Sequence, residues 1–175
     1  MAQPNYPWQE TATAGQNARR VLPGLAKAYF EEGRALVNAK ATPRELHRFR
    51  LATKRLRYTL EVFRPCYGPG LDTRLASLRK IQQQLGEIND CAATERLLDD
   101  CLAPRSPVRA RLANFLRART VQKIAGFNAF WRDHVDRPDE LERWTDYLAR
   151  RTHRRAGAAS RPASDTPRQP DKPAV

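Results

Sequence analysis

Apolar residues recur at spacings of three and four along most of this 175-residue chain. That spacing is typical of amphipathic α-helices, and the alternating pattern of half-buried strands does not occur. We therefore predict an all-α fold, in which short connections make neighbouring helices antiparallel, as in a bundle. The predicted core positions are Phe49, Leu56, Leu60, Phe63, Leu78, Leu85, Phe115 and Phe127.

The pattern predicts four helices followed by a short C-terminal one. A first helix lies within residues 17–39, and a second begins at Thr42, where Pro43 and Glu45 complete a capping box. A long third helix follows the "GPG" turn and runs to about Leu102, and "APRSPVR" then breaks the chain before a fourth.

The composition predicts one helical domain between loose ends. Residues 1–15 are polar and contain proline, so we expect a flexible segment there. Residues 156–175 are rich in Pro, Ala, Ser and charge, which predicts a disordered tail. The helical domain is expected over residues 16–155.

The charge balance indicates a polyanionic partner. The chain has 32 Lys and Arg against 19 Asp and Glu, a formal net charge of +13. No apolar run reaches the roughly 18 residues of a membrane span, and the N-terminus lacks a signal-peptide pattern, so a cytoplasmic location is expected. The three cysteines and three histidines show no metal-ligand spacing, and no cofactor is predicted.

The second helix concentrates positive charge on one face. Its sequence, "TPRELHRFRLATKRLRYTLEVFRP", holds seven Arg or Lys but only two carboxylates. At 100° per residue, a basic stripe opposite the apolar one contains His47, Arg50, Lys54, Arg57 and Tyr58. Like charges at this spacing repel, which an anion bound along the stripe would relieve. The ten residues from His47 to Arg57 span about 15 Å, the reach of several phosphates.

The third helix carries a second informative string, "LRKIQQQLGEIND". Arg79, Gln82, Gly86 and Asn89 fall on one of its faces. Glycine within a helix costs about 0.8–1 kcal/mol relative to alanine. We therefore expect Gly86 to permit close approach of the basic helix, with Asp90 near enough to orient an arginine.

These two strings resemble the two motifs of the CHAD family, the conserved histidine α-helical domain. "HRFRLATKRLRYTLEVF" is similar to its H-x-x-R-x-x-x-[KR]-R-x-R signature, and "LRKIQQQLGEIND" to the L-x-x-L-Q-x-x-L-G-x-x-[NR]-D string of the next helix. The resemblance implies an all-helical domain with a basic groove that binds inorganic polyphosphate. By position it implies these ligand-binding residues: His47, Arg50, Lys54, Arg55 and Arg57 on the first motif and Arg79 on the second.

The family's domain has two four-helix repeats, whereas each motif occurs once here. The resemblance covers about residues 16–150, one repeat, so it implies either a shallower binding face or pairing of two chains as a homodimer. It also suggests an association with polyphosphate granules.

Two other functions stay open at this stage. A nucleic-acid binder would suit the net charge, but Tyr58 is the only aromatic residue within the basic stripe available to stack on bases. A hydrolase of phosphate anhydrides, or an accessory domain for one, would need metal-binding carboxylates at the groove, and only Glu61, Glu87 and Asp90 are even loosely placed. Because no P-loop, G-x-S-x-G or H-E-x-x-H motif occurs, we expect no enzymatic activity.

Overall fold

The computed structural model describes residues 8–39 and 41–150, and it confirms the all-α fold. Five α-helices form the described part of the chain, which contains no strand. Their bounds are α1 Ala14–Asn38, α2 Pro43–Val62, α3 Gly70–Cys101, α4 Pro107–Phe130 and α5 Glu140–Ala149. A 3-10 turn, Arg64–Cys66, precedes α3, and a π-helical turn, Trp131–Val135, follows α4.

Side-chain caps fix where α1 and α2 begin. The predicted capping box of α2 is present, since Thr42 Oγ1 accepts from the Glu45 backbone N–H and a Glu45 carboxylate oxygen accepts from the Thr42 N–H. These hydrogen bonds hold the pKa of the Glu45 carboxyl below its ordinary value. Thr13 and Gln16 form a second capping box, so α1 starts at Ala14.

The flanking segments of the chain lie largely outside the described residues. The predicted flexible segment overlaps the description only from residue 8, and the predicted tail, 156–175, falls wholly beyond it. Just before α1, the backbone N–H of Gln9 donates to Asn17 Oδ1 at 2.9 Å, and Asn17 Nδ2 donates back to the Gln9 carbonyl at 2.8 Å. The division of the chain into a domain and two flexible ends stays a prediction.

The core lies between α1, α2 and α3 and is closed by the end of α4 and by α5. Six of the eight predicted core residues are buried: Phe49, Leu56, Leu60, Leu78, Leu85 and Phe127. Phe63 is half-buried and packs against the same core. At its centre Tyr29 stacks on Phe49 with ring centroids 4.9 Å apart, and Trp131 packs edge-on against Phe49 at 5.4 Å. Each such aromatic side chain stabilises the fold by roughly 1.5–3 kcal/mol relative to an exposed one.

The prediction that Phe115 lies in the core is wrong. Its side chain is 59 % exposed, because the last part of α3 and the first part of α4 project beyond the other helices. The buried residues of α4 are Thr120 and Phe127, in its second half. The first half of α4 therefore has α3 as its main support.

Among the described glycines, Gly33 permits the closest approach of another side chain. A Cβ atom at this position would lie 2.1 Å from the ring of Trp131, well inside contact distance. Nearby, the Arg34 guanidinium binds the Asp136 carboxylate, with Nε–Oδ1 and Nη2–Oδ1 distances of 2.8 and 2.7 Å. Together these contacts fix the end of α4 against α1. None of the helices described is both long and apolar enough to cross a lipid bilayer.

Candidate anion-binding cleft

The basic face of α2 lies against α3, and a cleft opens between them. The buried residues of α2 are Leu46, Phe49, Thr53, Leu56 and Leu60. The 100° helical step places Arg50 and Arg57 at the border of this buried face, on the side of α3. The cleft has a volume of about 390 Å³ and is lined by Arg50, Arg57, Arg79, Gln82, Gln83 and Gly86.

Arg57 is the most firmly held of the cleft's cations. Its side chain is only 15 % exposed, and its Nε donates to Gln82 Oε1 at 3.0 Å. Its Nη1 donates to Glu61 Oε1 at 2.8 Å, and its guanidinium lies over the Tyr58 ring at 4.3 Å from the ring centroid. These partners hold the planar guanidinium in one orientation, as charge-assisted and cation–π contacts do.

Glu61 joins the two helices of the cleft through one carboxylate oxygen. Besides Arg57, its Oε1 accepts from Arg79 Nη2 at 3.2 Å. Sequence reasoning considered Glu61 only as a loosely placed metal ligand. The sequence signal that could have revealed its ion pair is its position four residues after Arg57, the spacing of a helical ion pair.

Arg50 has an unused donor inside the cleft. Its Nε is buried and has no hydrogen-bond partner within the described part of the chain. A buried donor without a partner costs about 1–3 kcal/mol, and more when it belongs to a charged group. An anion in the cleft would supply the missing acceptor.

Gly86 lies beside this donor. A Cβ atom built there would be 3.8 Å from Arg50 Nε, an ordinary van der Waals distance. The expected close approach of the two helix backbones therefore does not occur at Gly86. The glycine instead leaves open space on the α3 side of the cleft.

His47 lies further along the same helix pair, towards the start of α2. Its Nδ1 donates to Asn89 Oδ1 at 2.7 Å. The predicted basic stripe of α2 therefore meets the predicted face of α3 that carries Asn89. A neighbouring hollow of about 530 Å³ is lined by His47 and Asn89 together with Thr42, Pro43, Arg44, Ala92 and Arg96. The two arginines extend the positive surface beyond the cleft.

The remaining predicted residues lie further out. Lys54 is half-buried, and Tyr58 is 49 % exposed beside Arg57. Arg55 is exposed and does not line the cleft. Asp90 does not orient an arginine of the cleft; it lines a separate groove between α3 and α4. Among the described residues, no three His, Cys, Asp or Glu side chains are grouped as a metal site.

A comparison with models of known protein families gives a match to this chain. The family model for the CHAD domain matches residues 1–99, more than half of the 175-residue chain. The chain belongs to the CHAD domain family. The matched part includes α1, α2 and nearly all of α3, and hence both helices of the cleft. Neither a curated protein nor a solved structure matches the chain.

Proposed function

We propose that this CHAD protein binds inorganic polyphosphate in the cleft between α2 and α3. The observation that carries the proposal is the convergence of Arg50, Arg57 and Arg79 from two helices, with the Arg50 Nε donor buried and unpaired among the described residues. CHAD domains are known as a polyphosphate-binding family, which agrees with this chemistry.

The shape of the cationic surface favours a chain of phosphates over a single one. Arg50 and Arg57 are seven residues apart, two helical turns and about 10 Å, on one face of α2. His47 and the hollow with Arg44 and Arg96 continue the surface along the same direction. Guanidinium groups present paired donors that match phosphate oxygens, and a linear polymer would engage them in succession.

The proposal predicts a steep dependence on salt and on polymer length. Each phosphate neutralised by an Arg or Lys releases condensed counterions, so the affinity should fall as salt rises. Longer polyphosphate should bind more tightly until the polymer exceeds the reach of the basic surface.

The decisive experiment separates the cleft from mere net charge. Arg50→Ala combined with Arg57→Ala removes two charged hydrogen-bonding groups, each worth about 1.5–3 kcal/mol, so we expect the Kd for polyphosphate to rise at least about 100-fold. Helical content, measured by circular dichroism, should stay unchanged, because the variant leaves all the buried residues of α2 in place.

Two controls lose as much charge or more. Arg48→Ala with Arg55→Ala removes two exposed arginines of the same helix, outside the cleft lining. A second control replaces Arg151, Arg154 and Arg155, which lie outside the described residues. Both should weaken binding much less than the cleft variant. If the second control weakens binding as much as the cleft variant, attraction is diffuse and the cleft proposal is wrong. An equal loss in the Arg48 and Arg55 variant would mean that the binding surface is not confined to the cleft and includes Arg55.

Nucleic acid is the alternative ligand, since it would also be attracted by the net charge. One aromatic side chain, Tyr58, adjoins the cleft, and it is covered on one face by Arg57. Titration with polyphosphate and with DNA at equal charge concentration, at two salt levels, distinguishes the two. If DNA binds as tightly as polyphosphate at each of the two salt levels, nucleic-acid binding is favoured.

We further propose that the cleft binds polyphosphate without hydrolysing it. The Glu61 carboxylate, which would be needed to hold a metal ion at the cleft, is already bound to Arg57 and Arg79. Release of orthophosphate from bound polymer over time would contradict this part. A cytoplasmic location near polyphosphate granules, and pairing of two chains, complete the proposal.

A further inference from the structure

The projecting parts of α3 and α4 have an apolar side that no other helix of the described chain covers. Two segments together are called the α3–α4 extension. The first is residues 87–101 of α3, and the second is residues 105–123, which comprise the end of the loop before α4 and the first part of α4. Val108, Leu112 and Phe115 follow each other at spacings of four and three on α4, so they share one side. With Leu97 of α3, these four large side chains are between 41 and 59 % exposed.

The same side of the extension holds two acidic and two basic residues, of which Glu87 and Lys123 pair with each other. Asp90 and Arg119 line, together with Phe115, a groove of about 470 Å³ between α3 and α4. Leu97 lies seven residues after Asp90 and therefore on the same side of α3. The Asp90 carboxylate forms no ion pair with any residue that the structure describes.

The extension is also divided by charge along its length. Residues 87–101 contain five carboxylates and one arginine, whereas residues 105–123 contain six basic residues and no acid. Ion pairs within the chain set the register of the two helices: Glu87 with Lys123, Glu95 with Arg117, and Asp99 with Arg109. In this register Asp90 is level with Arg119, and Leu97 is level with Leu112.

We propose that two copies of the chain pair through this side of the α3–α4 extension. A two-fold axis parallel to the helices would lay the acidic α3 of each copy on the basic α4 of the other. An axis across the helices would instead oppose α3 to α3 and α4 to α4, so that Asp90 of one copy could not meet Arg119 of the other. Charge complementarity therefore selects the first arrangement, which buries the four exposed apolar side chains in a four-helix contact.

The register makes the contacts specific. Because a two-fold axis along the helices preserves height, Asp90 of each copy meets Arg119 of the other, and Leu97 meets Leu112. The arrangement deepens the pairing named with the proposed function, but it does not depend on anion binding.

Sedimentation equilibrium without polyphosphate tests the contact over a range of protein concentrations. The wild-type chain should dimerise, and Phe115→Glu should raise the dimer dissociation constant by roughly tenfold or more, as loss of a buried aromatic anchor does. Val121→Glu is the matched control, since Val121 is a similarly exposed apolar residue on another side of α4 and should leave dimerisation unchanged. A monomeric wild-type chain, or equal effects of the two variants, would overturn the proposal.

A charge exchange tests the direction of the axis. Asp90→Arg alone and Arg119→Asp alone each place like charges in contact, so each variant should be monomeric. An equimolar mixture of the two restores both opposite-charge contacts and should dimerise. Failure of the mixture to dimerise would refute this arrangement, while both variants should still bind polyphosphate if the cleft proposal is correct.

Discussion

Replacing Glu61 with glutamine offers a direct test of how the cleft is charged. Glu61 Oε1 accepts from Arg57 at 2.8 Å and from Arg79 at 3.2 Å, so its negative charge occupies donors that a bound anion would use. It also repels that anion. Glutamine keeps the size of the side chain and removes the charge. We therefore expect Glu61→Gln to bind polyphosphate more tightly than the wild-type chain.

The size of this gain follows from these contacts and Coulomb's law. A phosphate oxygen bound to the other side of either guanidinium would lie about 6 Å from Glu61 Oε1, two hydrogen-bond lengths away. At that distance the repulsion between unit charges is about 0.7 kcal/mol in water and about 2.8 kcal/mol at an effective dielectric constant of 20. Because the Glu61 side chain is 31 % exposed, a middle value of about 1.4 kcal/mol is appropriate, a tenfold lower Kd.

Isothermal titration with polyphosphate of one defined length, near 0.1 M salt, measures the change. The Debye length there is about 10 Å, so screening would not abolish a 6 Å interaction. Glu142→Gln on α5 is the matched control, since it removes one exposed carboxylate elsewhere. An unchanged or weaker affinity in Glu61→Gln would refute the reasoning and would mean that Glu61 chiefly positions the arginines.

Two further predictions concern stability. Gly33→Ala should lower the free energy of unfolding by about 1–3 kcal/mol in chemical denaturation, because the new Cβ would overlap Trp131. Gly126→Ala has open space around it and should raise the free energy of unfolding by up to about 1 kcal/mol. Equal effects of the two substitutions would contradict the close approach at Gly33. Burial raises the pKa of the Tyr29 phenol, whereas in the unfolded chain this phenol ionises at about pH 10. The free energy of unfolding should therefore fall as the pH rises above about 10, and it should fall less steeply in Tyr29→Phe. Identical pH profiles of the two proteins would contradict the role given to Tyr29.

The two faces of α2 could be predicted because they depend on local sequence alone. The helical step separates Phe49 and Leu56 from Arg50 and Arg57, and the structure buries the first pair and lines the cleft with the second. Capping residues fixed the start of the helix in the same local way.

Contacts between distant helices were less accessible to this reasoning. The period of α4 groups Leu112 with Phe115, but it does not say whether another helix covers that side. A core position and an exposed docking side have the same spacing in sequence. Phe115 is exposed because the first part of α4 projects beyond the other helices of the described chain. That arrangement is visible in the structure and not in the sequence.

Two helical glycines show the same limit from the opposite direction. Sequence reasoning assigned a close helix approach to Gly86, whereas the structure places one at Gly33, against a tryptophan 98 positions later in the chain. No local pattern links Gly33 to Trp131. At Gly86 the neighbour is Arg50 Nε, a donor without a partner in the described part of the chain. A side chain longer than a methyl group would therefore fill the space in front of that donor. Under the proposed anion binding, access to this donor accounts for the helix-propensity cost at Gly86, as packing accounts for the cost at Gly33.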